Sequence, residues 1–282
     1  MSAESDKAGS EQEQLWNGPA GRAWVEAQEV LDRLFLPFET LLAGTVGEGA
    51  VERVLDVGCG TGALTLAVAR RLGSRGRSVG IDLSAPMTDA ARERATRAGL
   101  AAEFIRADAQ RHAFEPASFD RIVSRFGVMF FADPVQAFAR LRQAARSSAT
   151  LTFIAWRSAT ENPFMTTAET AAAPLLPDLP PRRTGGPGQF AFADAAHVRR
   201  LLDESGWRQV DIQPLDVDCR MSEADLLHYL SWLGPVGLAL QRADEPTRSR
   251  ILAVLGEAFL PYARGAGVSF RAACWVVNAR AA

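Results

Sequence analysis

The stretch Val54-Leu55-Asp56-Val57-Gly58-Cys59-Gly60-Thr61-Gly62-Ala63-Leu64-Thr65 reads as a buried strand, a glycine cluster and the opening of a helix. The run 51–57 is short and mostly apolar, and residues 63–72 repeat their apolar positions at helical spacing. Glycines at such a junction allow a tight turn and let a ligand come close to the main chain.

The same alternation continues down the chain. Strands are predicted over 51–57, 78–82, 102–106, 119–126 and 151–156, and helices over 63–72, 86–98 and 134–145. Ser84 is the expected N-cap of the second helix, and Asp133-Pro134 supplies cap and first-turn proline to the third. Strands alternating with helices specify an α/β class, a doubly wound, Rossmann-like sheet with helices on both faces. Residues 209–218 and 268–279 alternate like a terminal hairpin, completing a seven-stranded, mostly parallel sheet whose last strand is antiparallel. A hairpin loop needs about 2–5 residues, so the helical stretch 222–264 inside it is an insertion, read as a cap over the strand ends. Residues 1–14 are polar and read as a disordered tail, with residues 15–282 forming one domain. Further cap elements are expected at about 15–45, as helices on either side of Pro37, and at about 158–192.

Composition narrows the function. The 282 residues are 48% hydrophobic and 23% charged, an ordinary globular balance. The net charge of −2 shows no basic excess, against a nucleic-acid partner. The single lysine, Lys7, lies in the polar start, so neither a Schiff-base lysine nor a phosphate-loop lysine is on offer. His112, His197 and His228 are far apart, as are Cys59, Cys219 and Cys274, so no metal site is expected. Isolated thiols, a polar start and no apolar run of 18 residues predict a cytoplasmic protein without membrane insertion.

Two carboxylates select among cofactors. Asp82 ends the second strand, 22 residues after Gly60, a spacing that suits an acid accepting ribose hydroxyls. Gly58-x-Gly60-x-x-Ala63 also fits a dinucleotide fingerprint, but Asp56 stands two residues before the first glycine. A carboxylate there opposes a pyrophosphate and attracts an ammonium. S-adenosylmethionine (SAM), which has an ammonium and no phosphate, therefore fits better than NAD. The third strand leads to Asp108-Ala109 at the same crevice.

Taken together in order, LDVGCGTG, GIDLS, ADAQ and FDRIVSRFGVMFF resemble the class I SAM-dependent methyltransferases, in the small-molecule branch that includes the ubiquinone/menaquinone-biosynthesis enzymes. The resemblance spans roughly residues 15–157. It implies that Asp56, Gly58 and Gly60 shape the methionyl pocket with Thr61 at the turn, and that Asp82 binds the ribose. It further implies that Leu83 and Met87 flank the adenosine, that Asp108 and Ala109 face the adenine edge, and that Arg125 and Phe126 lie near the methionyl group and the reacting methyl. The segment WNGPAGRAWVE is similar to that of members whose first helix closes over the cofactor, which adds Trp16 to the cofactor set. The family's Pro-Gly-Gly turn before the fifth strand is replaced by Arg146-Ser147-Ser148-Ala149.

The expected reaction is methyl transfer to a small, partly apolar acceptor lined by Phe130, Trp156, Phe164, Phe190 and Trp232. No catalytic residue is assigned; His228, beside Tyr229 and Trp232 in the cap, is the preferred candidate for a base. An NAD-dependent oxidoreductase and a non-catalytic SAM-binding module remain alternatives, and a homodimer stays open. Asp56 and the lack of a Tyr-x-x-x-Lys speak against the oxidoreductase.

Overall fold

The structure is a computed structural model that describes residues 3–179 and 186–281. Three helices come first: α1 (Ala3–Asn17), α2 (Pro19–Glu26) and α3 (Gln28–Gly44). The alternating region follows as β1 (Arg53–Val57), α4 (Ala63–Leu72), β2 (Arg77–Asp82), α5 (Ala85–Ala98), β3 (Ala102–Arg106), β4 (Phe119–Arg125), α6 (Pro134–Ala144) and β5 (Ala145–Trp156). The remainder is α7 (Phe164–Ala172), α8 (Ala195–Glu204), β6 (Trp207–Ser222), α9 (Glu223–Trp232), α10 (Gly234–Leu240), α11 (Glu245–Phe259), the two-residue β7 (Ala263–Arg264) and β8 (Gly267–Ala281).

The sheet order is β3-β2-β1-β4-β5-β8-β6, with β7 pairing on β8. The first five strands are mutually parallel, and β8 runs antiparallel to both of its long neighbours, β5 and β6. Chain order reverses at β1, where β2 lies on one side and β4 on the other. That is the switch point at which open α/β sheets leave a crevice outside the strand ends. Ser84 and Asp133 cap α5 and α6, their side chains accepting from Met87 N and Gln136 N. Val54, Leu55, Ile122, Leu151, Phe153 and Ile154 are fully buried, as strands covered on both faces require.

Three local features depart from the sequence reading. Residues 3–14, expected as a disordered tail, lie in α1, and Asp6 of that helix meets Arg111 at 2.6 Å. Pro37 does not divide the segment into separate helices. It lies inside α3, whose buried Leu34, Phe35, Phe38 and Leu42 offset a proline cost of about 3 kcal/mol. The missing Pro-Gly-Gly turn is absorbed at Ser148, which takes φ +67°. The ladder slips there: Phe119 pairs with Ala145 while Arg121 pairs with Thr150.

The terminal hairpin extends beyond the end of β5. Pairing of β5 with β8 stops at Trp156↔Cys274, but β6 and β8 stay paired out to Ser222↔Gly267. Seven further residues of β8 carry the hairpin about 23 Å past the β5 exit. Helices α9–α11 join its two strands at that end. They meet the N-terminal helices through Arg33–Asp225 at 2.6 Å and His228 Nε2 against Glu26 O at 3.3 Å. Among the described residues, no helix is long and apolar enough to cross a membrane.

At the end of the β6–β8 pair opposite the helical insertion, Trp207 is completely buried and donates from Nε1 to Phe138 O at 3.0 Å. Replacing it with alanine removes a large core side chain. Trp207→Ala is expected to lower stability by about 3–5 kcal/mol, seen as a reduced urea midpoint at unchanged slope.

Candidate cofactor-binding site

The exits of β1 and β4 meet as bare main chain. Gly58 has φ +68°, and a Cβ on it would lie 2.6 Å from Gly127 Cα. A Cβ on Gly127 would in turn lie 2.6 Å from Val57 O. Ser124 locks this junction, donating from Oγ to Val57 O at 2.7 Å and accepting from Gly127 N at 3.2 Å. Between these residues Phe126 takes φ +65°, a conformation costly for a bulky side chain and characteristic of strained functional loops.

The second exit is bound to the same loop. Gly58 N and Cys59 N donate to Ile81 O, at 2.8 and 3.1 Å. The Asp82 carboxylate accepts from Gly60 N through Oδ2 and from Ser84 N through Oδ1, both at 2.8 Å. A further backbone hydrogen bond from Leu83 still leaves the carboxylate spare acceptor capacity. Burial nevertheless pushes the Asp82 pKa upward, against those backbone donors. Asp108 accepts from Gln110 N at 2.9 Å, and Gln110 Oε1 takes Asp133 N at 2.7 Å, which fixes the turn after β3 to the start of α6. Ala109 and Met87 are buried, and Leu83 is half-buried.

A charged group lies beneath the loop. Asp56 is 2% exposed and accepts from Thr65 Oγ1 at 2.7 Å. Desolvation pushes its pKa up to about 7, against the Thr65 hydrogen bond and the nearby Arg125 charge. Arg125 is shifted down by burial, and Glu39 on α3 is shifted up by burial. These two lie 4.0 Å apart, and Arg125 Nη1 is buried with no hydrogen-bond partner among the described residues. The Arg125 guanidinium also sits 5.7 Å from the Phe35 ring centroid.

Aromatic rings stand beside these charges. Phe126 stacks on Trp156 at 4.7 Å, with Phe35 and Phe38 edge-on to both. At the extended hairpin, Phe164 stacks on Phe270 at 3.7 Å and meets Phe259, Tyr262 and Tyr229. Trp16 packs edge-on to Phe130 at 5.1 Å, and its carbonyl accepts from Ser84 Oγ at 2.6 Å. Asn17 adds bonds to Leu83 O and Ala85 N, so the end of α1 crosses the β2 exit.

The structure thus brings Asp56, Gly58, Gly60, Thr61, Asp82, Leu83, Met87, Arg125, Phe126 and Trp16 to adjoining strand exits, with Asp108 and Ala109 at the neighbouring one. The five expected pocket residues fall into separate groups. Trp156 joins Phe126, Phe164 joins the hairpin cluster, and Phe130 joins Trp16. Trp232 lies beside His228, with ring centroids 6.3 Å apart, and Phe190 packs on the main core. His228 sits at the seam of α2 and α9. Phe35, Phe38, Glu39, Ser124, Gly127 and Phe270 escaped the sequence reading. Only Gly127, a glycine directly after a strand end, carried a local signal.

The raised Asp56 pKa has a defined stability signature. Between the unfolded value of 3.8 and about 7, the native chain keeps a proton that the unfolded chain has released. This group's contribution therefore falls as pH rises through that window and is level above it. Asp56→Asn is expected to remove that portion of the decline, checked by urea unfolding of both proteins from pH 4 to 8.

Known proteins share parts of this chain's sequence and its fold. Residues 54–148 match a protein family described as a methyltransferase domain. Aklanonic acid methyltransferase DauC from a Streptomyces strain is 36% identical over 124 residues, covering 42% of this chain and 56% of that one. Demethylmenaquinone methyltransferase from Thermus thermophilus is 37% identical over 94 residues, covering 33% and 42%. The chain spans about half the length of the curated relatives it matches. A SAM-dependent methyltransferase structure from Aquifex aeolicus aligns over 100% of both chains with a TM-score of 0.52 at 16% identity, a likeness of fold. With its glycine loop flanked by two acidic strand exits, this chain matches a methyltransferase-domain family over residues 54–148 and shares the fold of a solved SAM-dependent methyltransferase.

Proposed function

We propose that the protein transfers the methyl group of SAM to a small, partly apolar acceptor. The observation that carries this reading is the charge pattern at the switch point. Asp56 and Asp82 flank a glycine loop, and the buried Arg125 Nη1, 4.0 Å from Glu39, has no hydrogen-bond partner among the described residues. A nucleotide diphosphate would face two carboxylates there. The SAM methionyl ammonium suits Asp56, its carboxylate suits Arg125, and its ribose suits the remaining acceptor positions of Asp82. Leu83 and Met87 would hold the adenosine, with Asp108 and Ala109 at the adenine edge. Trp16 on α1 would cover that end.

Bound SAM supplies a methyl already activated on a sulfonium. The acceptor lone pair forms the new bond to carbon as the carbon–sulfur pair withdraws to sulfur, leaving S-adenosylhomocysteine. The chain's role is placement and exclusion of water, worth several kcal/mol when reacting atoms are aligned. The Phe126–Trp156 stack and the hairpin cluster around Phe164 favour an acceptor with apolar faces. One relative is named for aklanonic acid and another for demethylmenaquinone, both small molecules, which supports that class of acceptor. A proton acceptor is needed only for acceptors that must ionise first.

Calorimetry with S-adenosylhomocysteine tests the cofactor half. Asp82→Asn is expected to weaken binding by about tenfold or more, roughly the loss of one charge-assisted hydrogen bond; equal affinities would sink the ribose role. Incubating the protein with SAM and a panel of small phenolic, carboxylic and quinol acceptors tests the other half. A product heavier by one methyl, seen by mass spectrometry, is the expected result.

Asp56 generates a separate prediction. An ammonium beside it favours the ionised carboxylate, so binding near pH 6.5 releases protons. The calorimetric enthalpy is then expected to vary with the ionisation enthalpy of the buffer, and Asp56→Asn to abolish that variation.

A further inference from the structure

Arg94 lies on α5, outside the residues assigned to the cofactor. Its Nη1 donates to Thr61 O at 2.7 Å and to Thr61 Oγ1 at 3.2 Å, and its Nη2 donates to Asp32 Oδ2 at 2.5 Å. Asp32 lies on α3 and also accepts from Gln28 Nε2 at 2.6 Å. The Arg94 and Asp32 side chains are only 17% and 23% exposed, so solvent screens the pair incompletely. Thr61 stands between Gly60 and Gly62, which have φ +54° and +85°, left-handed conformations that favour glycine. Gly62 packs against α5 as well: a Cβ on it would lie 2.9 Å from Ala91 Cβ.

We propose that Arg94, held by Asp32, is a positioning residue for the cofactor loop. Its guanidinium draws the Thr61 carbonyl towards α5, away from the crevice, and so sets the peptides on either side of two left-handed glycines. Asp32 orients the guanidinium so that one nitrogen remains directed at Thr61. The order of the loop then depends on docking of α3, which precedes the matched region 54–148. The consequence for SAM affinity rests on the function proposed above; the ordering of the loop does not.

The test uses the full chain carrying Arg94→Met, Arg94→Lys, or the charge swap Asp32→Arg with Arg94→Asp. Amide hydrogen exchange of residues 60–64 is followed without ligand, thermal midpoints are recorded, and S-adenosylhomocysteine is titrated by calorimetry. For Arg94→Met, exchange in the loop is expected to rise at least tenfold and the Kd about tenfold, the size of one charge-assisted hydrogen bond. Arg94→Lys, which keeps the charge with a single donor head, is expected to fall between. The swap can rebuild the ion pair but not the donor to Thr61, so its midpoint should recover while exchange and Kd stay at the Arg94→Met values. Unchanged exchange in both single variants, or a swap that restores affinity along with the midpoint, would overturn the assignment by reducing the pair to a staple between α3 and α5. If the wild-type chain bound no S-adenosylhomocysteine, the SAM reading would fall, and the exchange data on the unliganded variants would still decide the role of Arg94.

Discussion

The site is built where two glycines let main chain touch main chain. Gly58 after β1 and Gly127 after β4 approach so closely that neither tolerates a Cβ, and Ser124 bonds the two exits together. This contact holds the Asp56 and Arg125 side chains on neighbouring strands within electrostatic reach of each other. It also accompanies the left-handed backbone at Phe126, whose ring then stacks on Trp156. A fold that placed a side chain at either position would separate the strand ends and disperse the charges.

Those charges are held at a cost. Removing a carboxylate or guanidinium from water disfavours its ionised form, and burial shifts Asp56, Asp82, Glu39 and Arg125 in that direction. The compensation within the chain is incomplete: Arg125 faces Glu39 at 4.0 Å without a hydrogen bond from Nη1. Perturbed groups of opposite sign at a strand-end crevice suit a zwitterionic ligand tail better than a uniformly anionic one. The same desolvation that destabilises the group strengthens its attraction for an opposite charge.

The N-terminal helices and the helical insertion meet each other beyond the sheet. The N-terminal helices cross the β1 and β2 exits, while the extended β6–β8 hairpin lifts α9–α11 past the β5 exit. They meet at Arg33–Asp225 and at His228 against Glu26. The placement of His228 follows from that meeting. Its Nε2 lies 3.3 Å from Glu26 O at the end of α2.

Much of the framework was legible in the chain because it depends on local rules. Alternating apolar runs and amphipathic segments specify the parallel sheet, and Ser84 and Asp133 signal their caps. Gly58, Gly60 and Gly62 between a strand and a helix mark the candidate binding loop, and Asp56 and Asp82 place two carboxylates beside it. The partners of those residues were not legible, because they come from elsewhere: Glu39 and Asp32 from α3, Arg94 from α5, and Phe270 from the far hairpin. Nor did the polar run at the start reveal α1, which the structure ties down through Trp16 and Asn17. The sequence by itself thus determined the alternating strands and helices of the parallel sheet, the glycine loop and the two carboxylates beside it, since backbone freedom and periodicity act between near neighbours. Only the tertiary structure decided which buried charges face one another and which rings form the walls, since those contacts join segments up to about a hundred residues or more apart and depend on how whole helices pack on the sheet.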